Sequence, residues 1–338
     1  MKPVWVSGLG AVSPAGWGVQ PLLEAVKDGK PLPTTEVEGP RTFHARLVPR
    51  PTTRPPILSH PRLRRSSPIS QYAAAAAQQA VENLPCPIEE LGILFSTMCG
   101  SVRYTRRFYA ETIEDPSTAS PILFPETVFN APASHVAAAL QAPVPAYSLV
   151  GDSSVFLQAL ATGANWVASG FVKAALVIAA EESDWSVLEG WRLFSPQTLT
   201  AEGAAAICLT STPVNENAVA LEHVYDPFSF EAWGSPEAAT AELARQMPSP
   251  SEGEHLVDSR SGIPRTDAIE NALWPSWPGT RTSPRAILGE AMTAATGWQC
   301  IIAASLLAQS PPCGTTYARI VAVGCNHQSM GARLARST

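Results

Sequence analysis

Ser153 is placed where a side chain could do covalent chemistry. The stretch Tyr147-Ser-Leu-Val-Gly-Asp-Ser-Ser154 leaves a short β-like run and enters a helix-like one. Nucleophiles are commonly held at such a strand-to-helix turn, because the free amides of the helix start stabilise negative charge on oxygen. The amides are not a base, and a serine hydroxyl needs one within hydrogen-bond reach. The competing reading is that Asp152, Ser153 and Ser154 only cap the helix, a role in which Ser and Asp are each worth about 1 kcal/mol.

The elements that must hold this turn are legible from spacing. Ser153–Ser169 carries an apolar face of Val155, Leu157, Leu160, Ala161, Ala164 and Val167 and stops at Gly170, an amphipathic helix with a glycine end. It is followed by the apolar strand Ala174–Ala180, which runs into Glu181 and Glu182. Val4–Gly10, Leu91–Ser96, Ala204–Leu209, Val219–Val224 and Arg319–Gly324 read as further strands. Gln20–Lys27, 68–81 and Pro132–Leu140 read as helices, and Ala286–Leu307 as one long helix with a break at Gly297. Residues 235–265, rich in Ser, Pro and Glu, are expected to be weakly ordered. Strands alternating with helices imply an α/β fold with mostly buried sheet.

Composition narrows the class. The chain has 338 residues, 45% apolar and only 15% charged, which fits a well-buried globular protein. A net charge of −6 argues against nucleic-acid binding. Six cysteines (Cys86, Cys99, Cys208, Cys300, Cys313 and Cys325) form no CxxC pair and read as reduced, mostly buried thiols of a cytoplasmic protein. No apolar leader and no membrane-length apolar run is present. Arg41–Arg65 holds seven arginines and no acid, either a solvated loop or a face for an acidic partner. Arg103, Arg106 and Arg107 read like that run, and the aromatics Trp185, Trp191 and Phe194 as packing of the core or of a dimer contact.

Several stretches in order resemble the β-ketoacyl synthases of the thiolase-like superfamily. Val6-Ser-Gly-Leu-Gly-Ala-Val-Ser-Pro-Ala-Gly16 is similar to their opening strand and turn, and Arg64-Arg65 with Ser70-Gln-Tyr-Ala-Ala74 to the start of their Ala-rich helix. Ser120–Pro125 with Asn130-Ala-Pro-Ala133 resembles the segment before the nucleophile, and Glu202-Gly-Ala-Ala-Ala206 the strand after it. More loosely, Gly262–Asp267 with Glu270, Ser283–Gly297 and Gly324–Ser329 resemble the loops of the second half. The resemblance implies a five-layered αβαβα fold from two similar halves, divided here as 1–215 and a shortened 216–338, and usually dimeric.

The resemblance also implies where chemistry would sit. Family members use a cysteine nucleophile, two histidines and a lysine. Those positions fall on Ser153, at or near Ser259, on Glu290 and on Arg285, with His255 as a displaced candidate for the first histidine. A carboxylate at Glu290 would repel the enolate-like intermediate that an imidazole stabilises, and Arg for Lys keeps the charge with a different geometry. Glu290, His327, His135 and His255 are the candidate bases for Ser153. The implied function is a ketosynthase-like subunit of fatty-acid or polyketide biosynthesis (type II polyketide or aryl-polyene type). It lacks Cys-His-His condensation and acts as a chain-length-factor-like partner of an active ketosynthase. The alternative is a serine-dependent acyltransferase with Ser153 as acyl nucleophile. Implied partners are an acyl carrier protein or acyl thioester, in a heterodimer with an active ketosynthase or a homodimer; no cofactor, metal, nucleic acid or membrane span is implied.

Overall fold

A run of alanines and β-branched residues buried on both faces marks the centre of the molecule. Residues 3–309 and 316–337 are described by the computed structural model; the expectation for Cys313 lies outside them. The first half runs β1 (Val4–Ser13), α1 (Val19–Asp28), α2 (Pro68–Ala80), β2 (Leu91–Thr97), α3 (Val102–Glu114), α4 (Ala131–Ala139), β3 (Ala146–Val150), α5 (Val155–Ser169), β4 (Ala174–Glu181), α6 (Trp185–Phe194) and β5 (Gly203–Thr210). The second runs β6 (Val219–Val224), α7 (Pro236–Gln246), β7 (His255–Val257), α8 (Pro264–Leu273), β8 (Arg281–Thr282), α9 (Pro284–Leu288), α10 (Met292–Leu307), β9 (Tyr317–Val323) and β10 (Gln328–Arg336).

The strands are ordered β8-β7-β9-β10-β6-β1-β5-β4-β2-β3. β6 joins the halves because it pairs antiparallel with both β1 and β10. Every residue of β4 and β5 is buried, which is why both read as unbroken apolar runs rather than alternating ones. The Ala-rich α2 and α4 cover one face of the first half. α5 and α10 lie between the two half-sheets, touching strands of both, and α7 and α8 close the far side. The layering is αβαβα, as expected from the sequence. Among the described residues no helix is long and apolar enough to cross a membrane.

Two expectations are corrected. The long second-half helix breaks not at Gly297 but at 289–291, where Gly289 has φ 95° and Met292 the unusual φ of 49°. Gly297 is inside α10 because a Cβ there would collide with Ala205 Cβ; the glycine marks a close helix–sheet approach, not a stop. Residues 235–265 hold α7, β7 and the start of α8. Ser235 accepts from Ala238 N at 3.1 Å and Pro236 fills the first helical position, a start signal that the surrounding Ser/Pro/Glu composition masked.

Candidate functional site at the turn between β3 and α5

The turn after β3 is built around Asp152. Its Oδ1 accepts from Ser154 Oγ at 2.9 Å and Ser154 N at 3.4 Å, and its Oδ2 accepts from His327 N at 3.0 Å and Gln328 N at 3.4 Å. The expected capping by a side chain is not found: Ser154 is the cap residue of α5 with no side-chain cap bond, and Asp152 braces the turn just before it. Gly324 presses so close that a Cβ there would collide with Asp152 Oδ2. The last loop of the chain, 324–327, is thereby tied to the head of α5.

Ser153 itself is buried, 3% exposed, and its Oγ meets no hydrogen-bond partner among the described residues. None of the candidate bases serves it. Glu290 is engaged by Arg285 Nη1 at 2.8 Å and by Met292 N at 2.6 Å. His327 is exposed and contributes backbone: its N–H goes to Asp152 and its carbonyl accepts from Phe230 N at 2.8 Å. His255 lies in β7 with Nε2 2.8 Å from Thr282 Oγ1 and Nδ1 against Thr280 Oγ1, a core histidine satisfied on both nitrogens. Burial holds it below the ordinary imidazole range. His135 is paired with Glu126 at 2.8 Å beside a cavity of about 410 Å³.

The other candidates do converge. Ser259 Oγ donates to the Glu270 carboxylate and accepts from Val323 N at 3.1 Å, directly before the 324–327 loop. Arg285 bonds Glu290 and reaches Thr296 Oγ1 at 3.4 Å. Glu290 is fixed by its own backbone, since Glu290 N donates to Leu199 O at 2.9 Å and Ala201 N donates to Glu290 O at 2.9 Å. Ser259 is thus joined through Val323 to the loop that Asp152 holds, and the Arg285–Glu290 pair lies within the influence of the Asp152 charge, whereas Ser153 has no polar contact among the described residues.

The electrostatics are those of a sealed acidic site. Burial pushes the Glu290 carboxyl above its usual range and the Asp152 charge adds to this, while Arg285 and the Met292 amide pull the other way. Burial and Asp258 push Glu270 up, opposed by Ser259 and Arg285. Cys325, in the loop itself, is pushed up to about 12 by burial, then by Asp152 and Glu290. Cys99, whose Sγ lies 3.5 Å from Met292 Sδ, is also raised by burial and by Glu181. Thiols held so far from their thiolates are inert as nucleophiles near neutral pH. Among the described residues no group of His, Cys, Asp and Glu is arranged to hold a metal ion.

Asp152, Glu270 and Cys325 were not singled out from sequence as site residues. Asp152 was legible only as a cap, and nothing in the local pattern ties it to a loop 175 positions away. Arg103 bonds Glu202 at 2.9 Å and the Ser183 carbonyl at 2.7 Å. Arg106 pairs with Asp184 at 2.9 Å and lies 5.6 Å from the Trp185 ring, and Arg107 pairs with Glu111. Arg103 and Arg106 tie elements of this half together, whereas Arg107 is exposed and pairs only within its own helix. Trp191 stacks edge-on with an exposed Phe194.

Comparison with known proteins places this fold. Residues 49–246 match the family model described as β-ketoacyl synthase, N-terminal domain. A search of curated protein sequences found no match. Among solved structures, the ishigamide ketosynthase/chain length factor is 19% identical, with 99% of this chain and 100% of that chain covered and a TM-score of 0.82. A ketosynthase (ApeO) in complex with its chain length factor (ApeC) from Xenorhabdus doucetiae is 17% identical, with 99% and 98% covered and a TM-score of 0.78. A β-ketoacyl synthase from Burkholderia phymatum is 15% identical, with both chains fully covered and a TM-score of 0.75. At these identities the structures share the fold. With the matched model spanning more than half of the sequence, the chain belongs to the β-ketoacyl synthase family.

Proposed function

We propose that this chain is a ketosynthase-like subunit without condensing activity, which pairs with an active ketosynthase as a chain-length-factor-like partner in fatty-acid or polyketide biosynthesis. The observation that carries the proposal is the state of the centre. Condensation needs a thiolate and two imidazoles. The four positions taken over from the family are Ser153 without a base, Ser259 bound to Glu270, and Arg285 bound to Glu290. Ser259, Arg285 and Glu290 are engaged by neighbours in this chain, and the Ser153 hydroxyl has no base to activate it, which supports a centre that does not attack an acyl thioester.

The pairing surface is supported by β3. It ends the sheet order, so its outer backbone edge has no partner strand among the described residues. Its side chains Tyr147 and Val150 are 59% and 50% exposed, an apolar edge of the kind that another chain covers. A concave pocket of about 530 Å³, lined by Tyr147, Ser148, Leu149, Trp166 and Phe171, lies beside it. One solved relative in fold is described as a ketosynthase in complex with its chain length factor, two more as ketosynthase/chain length factor, and another as an acyl carrier protein in complex with its ketosynthase. An acyl carrier protein suits the exposed Arg50, Arg62, Arg64 and Arg65, which stand in a segment without acids. Arg46 is excluded from that face because it is buried, holding the Leu32 carbonyl at 2.9 Å. A cytoplasmic setting is part of the proposal, in keeping with free cysteines at 86, 99, 208, 300 and 325.

Co-expression with a cysteine-containing ketosynthase tests the proposal. The two chains are expected to co-purify as a heterodimer, and a homodimer that excludes the synthase would overturn it. The serine-acyltransferase reading has a separate readout: intact mass after incubation with acyl-CoA donors, where an acyl adduct on Ser153 would favour it.

A further inference from the structure

Backbone amides at a turn of this kind are the groups that an acyl-transfer centre aims at the oxygen which becomes negative. Here the amides of His327 and Gln328 are already taken. Both donate to Asp152 Oδ2, at 3.0 and 3.4 Å, and the carboxylate's second oxygen is held by Ser154 Oγ at 2.9 Å. Asp152 is 2% exposed, and Gly324 lies against it with no room for a Cβ. The loop closes on itself through Gly324 N to Gln328 O at 2.9 Å. A carboxylate with so many donors and, among the described residues, no cation in direct contact is positioned like a bound anion, except that it belongs to the chain.

We propose that Asp152, rather than Ser153, is the residue which the turn directs into the site, and that its carboxylate permanently occupies the amide pocket, clamping the 324–327 loop onto the head of α5. The site is closed from within by its own side chain. The clamp also explains Gly324, since any larger residue would displace the loop from the carboxylate. This inference does not depend on pairing with a synthase, because it concerns contacts within one chain.

Amide hydrogen exchange reads the clamp directly. The His327 and Gln328 amides are expected to exchange slowly in the native chain. Asp152→Ala removes the one acceptor that both share, and the two amides should exchange about 10- to 100-fold faster, the range expected when charge-assisted hydrogen bonds are lost locally. The amides of the β10 interior, such as Ala332 paired with Val224, serve as the internal control and should not change. Gly324→Ala attacks the same contact from the other side and should raise exchange at the same two amides. Should Asp152→Ala fail to fold, Gly324→Ala and the isosteric Asp152→Asn decide the matter by the same readout. Exchange at 327 and 328 that stays at the native rate relative to Ala332 in a folded variant would overturn the clamp.

Discussion

Replacing Arg285 by alanine should expose how the centre is balanced. Arg285 is 6% exposed and its Nη1 lies 2.8 Å from Glu290 Oε2, with Glu290 8% exposed. Removing one member of a buried pair strands the other charge and costs about 3–5 kcal/mol. The cost should depend on pH, and the sign follows from Glu290. Its carboxyl is already raised by burial, and losing Arg285 raises it further. A raised carboxyl holds its proton in the folded state after the unfolded chain has released it. Its favourable contribution is therefore complete below the unfolded value, about 4.3, and is lost as pH rises toward the folded value. Arg285→Ala should accordingly be mild near pH 4.5, where only packing and the Thr296 contact are lost, at about 1–2 kcal/mol. Near pH 8 it should approach the full cost. Urea unfolding of the native chain and the variant at both pH values gives the comparison. A second variant, Arg285→Met with Glu290→Met, removes both charges and should recover most of the loss at pH 8. Equal losses at the two pH values, or a double variant as unstable as the single one, would refute the reasoning.

Three further outcomes can be checked. Glu181 is fully buried and accepts from the Met98 and Cys99 amides at 2.6 and 3.2 Å, yet burial pushes its carboxyl up to about 7 from 4.5, a gap worth about 3 kcal/mol. Because the shift is upward, this contribution should fade as pH rises from about 4.5 to 7, and Glu181→Gln should flatten that part of the stability–pH curve. Tyr147→Lys with Val150→Asp puts charges on the exposed edge of β3 and should abolish dimer formation in sizing experiments without lowering the unfolding midpoint of the isolated chain. Gly297→Ala should destabilise by about 1–3 kcal/mol in thermal unfolding, because its Cβ would meet Ala205.

Much of the fold is legible because its strong elements obey simple periods. The strand Val219–Val224 is found at the residues expected for it, and α5 ends at Gly170 in the left-handed conformation with φ 78°. Composition misleads where local signals are small, as at Ser235-Pro236 inside an otherwise unpromising segment. Gly297 shows the same limit from another direction: only the approach of β5 in space separates a helix-breaking glycine from one that admits a neighbour. For the site, Arg285 and Glu290 are five positions apart and their pairing is close to local. Asp152 meets the 324–328 segment across the whole second half, a contact that no pattern around Asp152 encodes. The unpartnered Ser153 hydroxyl is likewise a fact of three dimensions: in sequence it stands beside a carboxylate, yet that carboxylate is bonded to Ser154 and to the loop.

The absence of acyl chemistry at Ser153 is tested most directly by product formation. The chain, co-expressed and purified with an active ketosynthase and supplied with acyl carrier protein and acyl donors, is compared with its Ser153→Ala variant in the intact complex. The structure predicts equal product from both, since the Ser153 hydroxyl has neither a base nor a polar contact. Loss of product in the variant, with the complex still assembled, would contradict it.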